Sequence, residues 1–251
     1  MSDNEPILSL QGIHKAFGHH VVLDGVDLDI ETGKTTVVIG PSGCGKSVLL
    51  KHMIGLLKPD RGKVFFRGWE ITSVPERHLT NVRRRMGFLF QGSALFDSMT
   101  VEQNIGLALR EHTKETPSAI RRKISEKLEL VGLPGIENKK PAELSGGMKK
   151  RVGLARALVM DPKYILFDEP TTGLDPIMAD AINDLILETQ RKLGVTSVVV
   201  THDMASAFKI ADRMAMIQEG KIVFDGEPKE FCASKNPEVQ QFIEKSHVAM
   251  G

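Results

Sequence analysis

The chain is expected to fold as an α/β domain around a mostly parallel sheet, and three observations carry that expectation. A β-branched run, Thr35 to Ile39, opens into the loop Gly40-Pro41-Ser42-Gly43-Cys44-Gly45-Lys46-Ser47 and then into a helical stretch, Val48 to Leu57. A second apolar run, Tyr164 to Phe167, ends in two carboxylates, Asp168 and Glu169. From Gly146 to Ala211 helical and strand-like segments alternate, which implies parallel pairing through crossover helices.

In order along the chain, Ile7 to Leu10, Val21 to Leu23 and the strictly alternating Val26 to Ile30 read as short strands. Glu31 to Lys34 is a turn before the strand Thr35 to Ile39, and Lys58 to Gly62 closes the helix that follows the loop. Val64 to Phe66 and Met86 to Phe90 are strands around a basic helical segment, Glu76 to Arg85. From Val101 to Val131 the apolar residues recur at helical spacing, with Thr116-Pro117-Ser118 starting a second helix. Helices over Gly146 to Met160, Ile177 to Leu193 and Ala205 to Ala211 alternate with strands Tyr164 to Phe167 and Ser197 to Val200. Met214 to Ile217 and Lys221 to Phe224 form a hairpin at Glu219-Gly220, and Pro228 to Met250 is a polar helical tail.

Composition bounds the function. The 251 residues carry 33 basic and 32 acidic side chains, a net charge of +1, which argues against a surface built for nucleic acid. Only Cys44 and Cys232 occur, so a structural disulfide is not expected and a reducing cytosol is the natural compartment. No signal-peptide pattern opens the chain, and no apolar run approaches the roughly 18 residues of a membrane helix.

The loop spells G-x-x-x-x-G-K-[ST], a phosphate-binding pattern. Its glycines let backbone N–H groups converge on a polyphosphate, and the following helix adds unpaired N–H groups and partial positive charge. Lys46 can reach the β- and γ-phosphates, and the Ser47 hydroxyl can ligate Mg²⁺. Asp168 can support that ion directly or through water, and Glu169 can act as general base. Leu144-Ser145-Gly146-Gly147-Met148 supplies a second open helix start, with Ser145 as N-cap. One nucleotide has no evident need for two such termini in one chain. Two chains facing head to tail could each supply one. Within the loop, Cys44 beside Lys46 and a helix start is expected to favour its thiolate.

In this order the motifs resemble the ATP-binding cassette (ABC) ATPases, from about Ile7 to Phe231. The resemblance implies a nucleotide-binding domain over 7–231, with an antiparallel β subdomain and an inserted helical subdomain at about 92–160, followed by a helical tail over 232–251. It implies ATP and Mg²⁺ as cofactors. By family position Phe17 stacks on adenine, Gly40 to Val48 hold the phosphates, and Gln91 senses γ-phosphate and Mg²⁺. Asp175 belongs to the loop that crosses the dimer interface, and His202 contacts the γ-phosphate. Ser145, Gly146 and Gly147 act in trans on the partner's nucleotide. Val48 stands where many relatives have Thr, and Met148 where the commonest signature has Gln.

Lys46 and Ser145 are only 99 positions apart with no sustained heptads between them, unlike the DNA-repair members, and one cassette per chain differs from translation-associated members. The stretches Leu89 to Phe96, Leu109 to Thr113 and Leu144 to Met148 resemble Mla/Mce-type bacterial lipid-transport ATPases. That implies a homodimer on the cytoplasmic face of the inner membrane, with a permease, a Mce-type lipid-binding protein, a small cytosolic accessory subunit and phospholipid or related cargo. A polar amino-acid importer and a non-transport ABC ATPase are the alternatives.

Overall fold

The computed structural model describes residues 7–246. β1 (Leu8–Phe17) and β2 (His20–Ile30) form a hairpin. β1 runs well beyond the expected Leu10, and the two short strands expected over 21–30 are one strand. Ile13 pairs with Val26 but His14 with Asp24, so the register slips at Gly25, whose φ of 78° suits glycine. β3 (Thr35–Ile39) is buried at every residue, as a central parallel strand should be.

α1 (Lys46–Met53) stops short of the expected Leu57. Gly55 turns left-handed at φ 65°, and the N–H groups of Leu56 and Leu57 fold back onto the Lys51 carbonyl at 2.9 and 3.1 Å. β4 (Arg61–Phe66), β5 (Trp69–Glu70), α2 (Glu76–Arg83) and β6 (Met86–Leu89) follow. α3 (Val101–His112) begins on a capping box formed by Thr100 and Gln103, and α4 (Pro117–Leu130) on a Thr116 cap with Pro in its first turn. Their buried stripes, Val101, Ile105 and Leu109 against Ile120, Ile124 and Leu128, keep the spacing read from the sequence.

α5 (Gly146–Leu158) closes this helical block, and β7 (Tyr164–Asp168), α6 (Pro176–Leu193), β8 (Thr196–Thr201) and α7 (Met204–Ile210) alternate after it. β9 (Arg213–Gln218) and β10 (Lys221–Gly226) form the terminal hairpin, then come α8 (Pro228–Cys232) and α9 (Pro237–Lys245). The tail is therefore two short helices, and it is not simply polar. Phe231 and Val239 are fully buried, and the Phe231 ring meets Phe224 edge-on at 5.1 Å. The part of the expected tail after 246 lies outside the described residues.

The six-stranded sheet has the order β10-β9-β3-β8-β7-β6, parallel from β9 to β6 with β10 antiparallel at its edge. A four-stranded antiparallel sheet has the order β2-β1-β4-β5. Alternate residues of the parallel strands serve two cores. Val37, Ile39, Ile165 and Phe167 pack towards α3 to α7, while Val38, Leu166 and Val200 pack towards α1 and the antiparallel sheet. Both carboxyl-end loops that carry the predicted motifs emerge from neighbours of β8, β3 on one side and β7 on the other.

Candidate nucleotide site

The loop after β3 is shaped by close approach. A Cβ at Gly40 would stand 2.3 Å from the Ile217 carbonyl oxygen, so only glycine fits against β9. Gly43 and Gly45 take φ of 82° and 103°. Gly45 is the N-cap of α1 and offers no capping side chain, which leaves the first-turn N–H groups open to an anion.

Lys46 is buried, and its ammonium donates to the carbonyls of Gly40 and Pro41 at 2.8 and 2.9 Å. It also stands 3.4 Å from Glu169 Oε1. The Ser47 hydroxyl donates to Asp168 Oδ1 at 2.6 Å. Burial pushes the Asp168 carboxyl above its ordinary value, the Ser47 hydrogen bond pulls it back, and the neighbouring Glu169 charge raises it again.

Glu169 is the centre of the arrangement. Its Oε2 accepts from Thr172 Oγ1 at 3.0 Å and from His202 Nδ1 at 2.9 Å. Its backbone sits at φ 48°, a left-handed conformation that costs a non-glycine residue about 1–3 kcal/mol. Two bonds hold it there: its N–H donates to the Val200 carbonyl at 2.9 Å, and its carbonyl accepts from Lys150 Nζ at 3.2 Å.

Phe17, Ser42, Gly43, Gly45, Lys46, Ser47, Val48, Gln91, Glu169 and His202 line one cavity of about 500 Å³, a volume suited to a nucleotide-sized ligand. Phe17 is about half exposed at its mouth, with Lys15 Nζ 5.5 Å from its ring centroid. Gly40 and Pro41 contribute carbonyls to Lys46, and Asp168 lies behind Ser47. Among the described residues no three His, Cys, Asp or Glu side chains cluster as a metal cage. The hydroxyl–carboxylate pair Ser47–Asp168 offers the oxygen donors a hard cation prefers, with room for nucleotide oxygens and water beside it.

Four predicted residues stand elsewhere. Ser145 caps α5, accepting from Met148 N at 3.3 Å, and is exposed with Gly146, while Gly147 is buried. Asp175 caps α6, accepting from Met178 N at 3.0 Å. A Cβ on Gly146 would lie 3.6 Å from Leu174, so the two predicted interface segments adjoin each other away from the cavity.

The expectation for Cys44 is overturned. Burial pushes its thiol up and outweighs the pull of Lys46, so the thiol form is favoured. Sequence reasoning also passed over Lys150, which donates to the Glu169 and Gln91 carbonyls and so ties α5 to both segments. In the run Lys149-Lys150-Arg151 it resembles a solvated charge. The signal was periodic: Gly147, Lys150, Leu154 and Leu158 form one buried stripe.

Residues 23–172 match the family model described as ABC transporter. The chain belongs to the ABC transporter family. It is 44% identical over 236 residues to the probable ribonucleotide transport ATP-binding protein mkl of Mycobacterium leprae, covering 94% of this chain and 68% of that one. It is 40% identical over 240 residues to the intermembrane phospholipid transport system ATP-binding protein MlaF of Haemophilus influenzae, covering 96% and 91%. Its fold superposes with a TM-score of 0.81 and 32% identity on the ATP-binding cassette MJ0796, a dimeric post-hydrolysis structure with ADP and Pi, covering 88% and 98%. The chain is thus an ABC-type ATP-binding subunit that hydrolyses ATP to power a transporter. Among the described residues no helix is long and apolar enough to cross a membrane.

Proposed function

We propose that two copies of this chain enclose two Mg·ATP and drive phospholipid or a related hydrophobic cargo through a membrane permease. One observation carries the dimer: Lys46, Glu169 and His202 share a cavity that the exposed helix start at Ser145 does not reach. A γ-phosphate bound in that cavity still presents oxygens outward, and a partner's Ser145, Gly146 and Gly147 supply N–H groups for them. Asp175 lies beside that helix start, on the surface the partner would cover.

Within each site Phe17 stacks on the base, Gly40 to Val48 wrap the phosphates and Lys46 exchanges its carbonyl contacts for phosphate oxygen. Ser47, Asp168 and Gln91 would hold Mg²⁺, which would neutralise phosphate charge when bound. Glu169 takes the proton of the attacking water, and His202 orients its carboxylate and reaches the γ-phosphate. Closure is a population shift driven by contacts that exist only with ATP on both faces. Residues 7–231 form the catalytic domain with a helical subdomain at about 92–160, and 232–251 an appended tail.

The cargo reading rests on the resemblance to MlaF, which spans nearly all of both chains. On this reading the subunit would sit peripherally on the cytoplasmic face of a bacterial inner membrane, with a permease, a Mce-type lipid-binding protein and a small accessory subunit, and without nucleic acid. The name of the mycobacterial relative favours a second reading, a ribonucleotide cargo. Purifying the subunit with its membrane partners and analysing bound molecules by mass spectrometry separates the two. Phospholipid enriched over the surrounding membrane supports the first reading, and nucleotide other than ATP or ADP with no enriched lipid overturns it.

A further inference from the structure

A second cavity, of about 600 Å³, opens between the β4–β5 hairpin and α2, and it shares no lining residue with the nucleotide cavity. Its floor is apolar, built on Phe66 and Ile71, which are 5% and 3% exposed. Its wall is Trp69, 79% exposed on a two-residue strand. An indole left this open is a large apolar surface without a partner among the described residues.

The fixed charges of the lining are two arginines. Arg67, His78, Asn81 and Arg85 border the cavity, and among the described residues no carboxylate does. Arg67 and Arg85 are both exposed, whereas Arg83 pairs with Glu76 and Arg213 with Glu31 and Asp225. Among the described residues Arg67 and Arg85 make no such pair. Both line the one cavity whose floor holds Phe66, the ring that the Tyr164 ring meets edge-on at 5.1 Å. Arg67 is delivered by the tight turn Arg67-Gly68, where its φ is 52° and Phe66 pairs with Trp69. Cations over an apolar floor complement a ligand with the opposite layout.

We propose that this cavity binds an amphipathic anion, with a carboxylate or phosphate head held by Arg67 and Arg85 and an apolar body lying on Phe66 and Ile71 beneath Trp69. The inference is independent of the cargo reading. A free amphiphile and the headgroup region of an anionic lipid share this chemistry, and the experiment tells them apart.

Trp69 is the only tryptophan of the chain, so its emission reports the site directly. The full-length protein is titrated with decyl phosphate below its micelle concentration, with inorganic phosphate, with decanol, and with phosphatidylcholine vesicles with and without phosphatidylglycerol. A saturable emission change with decyl phosphate is expected, at least tenfold tighter than with decanol, and none with inorganic phosphate. Arg67→Asn, a residue that tolerates the left-handed turn, and Arg85→Gln should each weaken it tenfold or more while basal ATPase and Tm hold. If anionic vesicles also saturate the signal, the source is a lipid headgroup; if they do not, it is a free amphiphile. Equal affinity for decanol, unaltered binding in both arginine variants, or a response to vesicles alone would each overturn the proposal.

Discussion

At Glu169 a strained backbone and a fixed carboxylate coincide. A left-handed non-glycine residue persists only where its surroundings hold it, and here Val200 and Lys150 do so while Thr172 and His202 set the side chain. Glu169→Gln keeps the shape and removes the base. ATP turnover should fall by about 10²–10⁴, the range for a general base, with nucleotide binding kept and a closed dimer trapped. Steady-state ATPase and size-exclusion chromatography with ATP check this, and near-normal turnover would remove Glu169 from the role. Lys150 acts through those carbonyls and is a positioning residue. Lys150→Met should lower kcat tenfold or more with KM within about twofold, and Lys150→Arg should recover much of it. A loss confined to Tm would make Lys150 merely structural. Cys44 gives the opposite lesson. Its neighbours along the chain argue for a thiolate, but packing decides, and burial wins. Iodoacetamide near neutral pH should label exposed Cys232 well before Cys44, with Cys44 labelling rising as pH is raised. Peptide mass mapping over time reads both rates.

Among the elements, α1 links the phosphate loop to the core and carries a titratable weak point. His52 is 1% exposed, its Nδ1–H donates to the Val48 carbonyl at 2.7 Å, and Nε2 has no partner among the described residues. Burial therefore holds its pKa below the ordinary 6.5. As pH falls below 6.5 the unfolded chain takes up a proton that the folded chain still refuses, so stability drops across that window. The slope approaches about 1.4 kcal/mol per pH unit for one proton. Urea midpoints from pH 7 to 5 should show the loss, and His52→Phe should flatten it; an equal slope in the variant would move the cause elsewhere. The same element marks how far sequence carries. The loop was legible because glycines at φ of 82° and 103° are a local requirement written in local letters. The paired stripes of α3 and α4 were legible because helical spacing is local too. The merging of two strands through Gly25 and the site contact of Lys150 were not, because each is settled by partners on another element.

On the scale of the whole molecule, the loop after Gln91 is where hydrolysis could be felt by a membrane partner. Its backbone is braced rather than loose. Buried Asn104 accepts from Phe96 N at 2.8 Å and donates to the Phe96 carbonyl at 3.1 Å, while Arg156 donates to the carbonyls of Ser93 and Ala94 at 2.6 Å each. Lys150 holds the Gln91 carbonyl from the same helix. A rigid loop that leaves Phe96 51% exposed presents an apolar anchor and spends little entropy on binding. Phe96→Asp changes only that exposed side chain, so stability should move by no more than about 0.5 kcal/mol and basal ATPase of the isolated subunit should hold. Capture of the permease from detergent-solubilised membranes should fall by about 30-fold or more, the loss of an anchor worth about 2 kcal/mol. Full assembly of the Phe96→Asp subunit would place the coupling surface elsewhere. A parallel fall in basal ATPase would show instead that Phe96 supports the nucleotide site through Gln91.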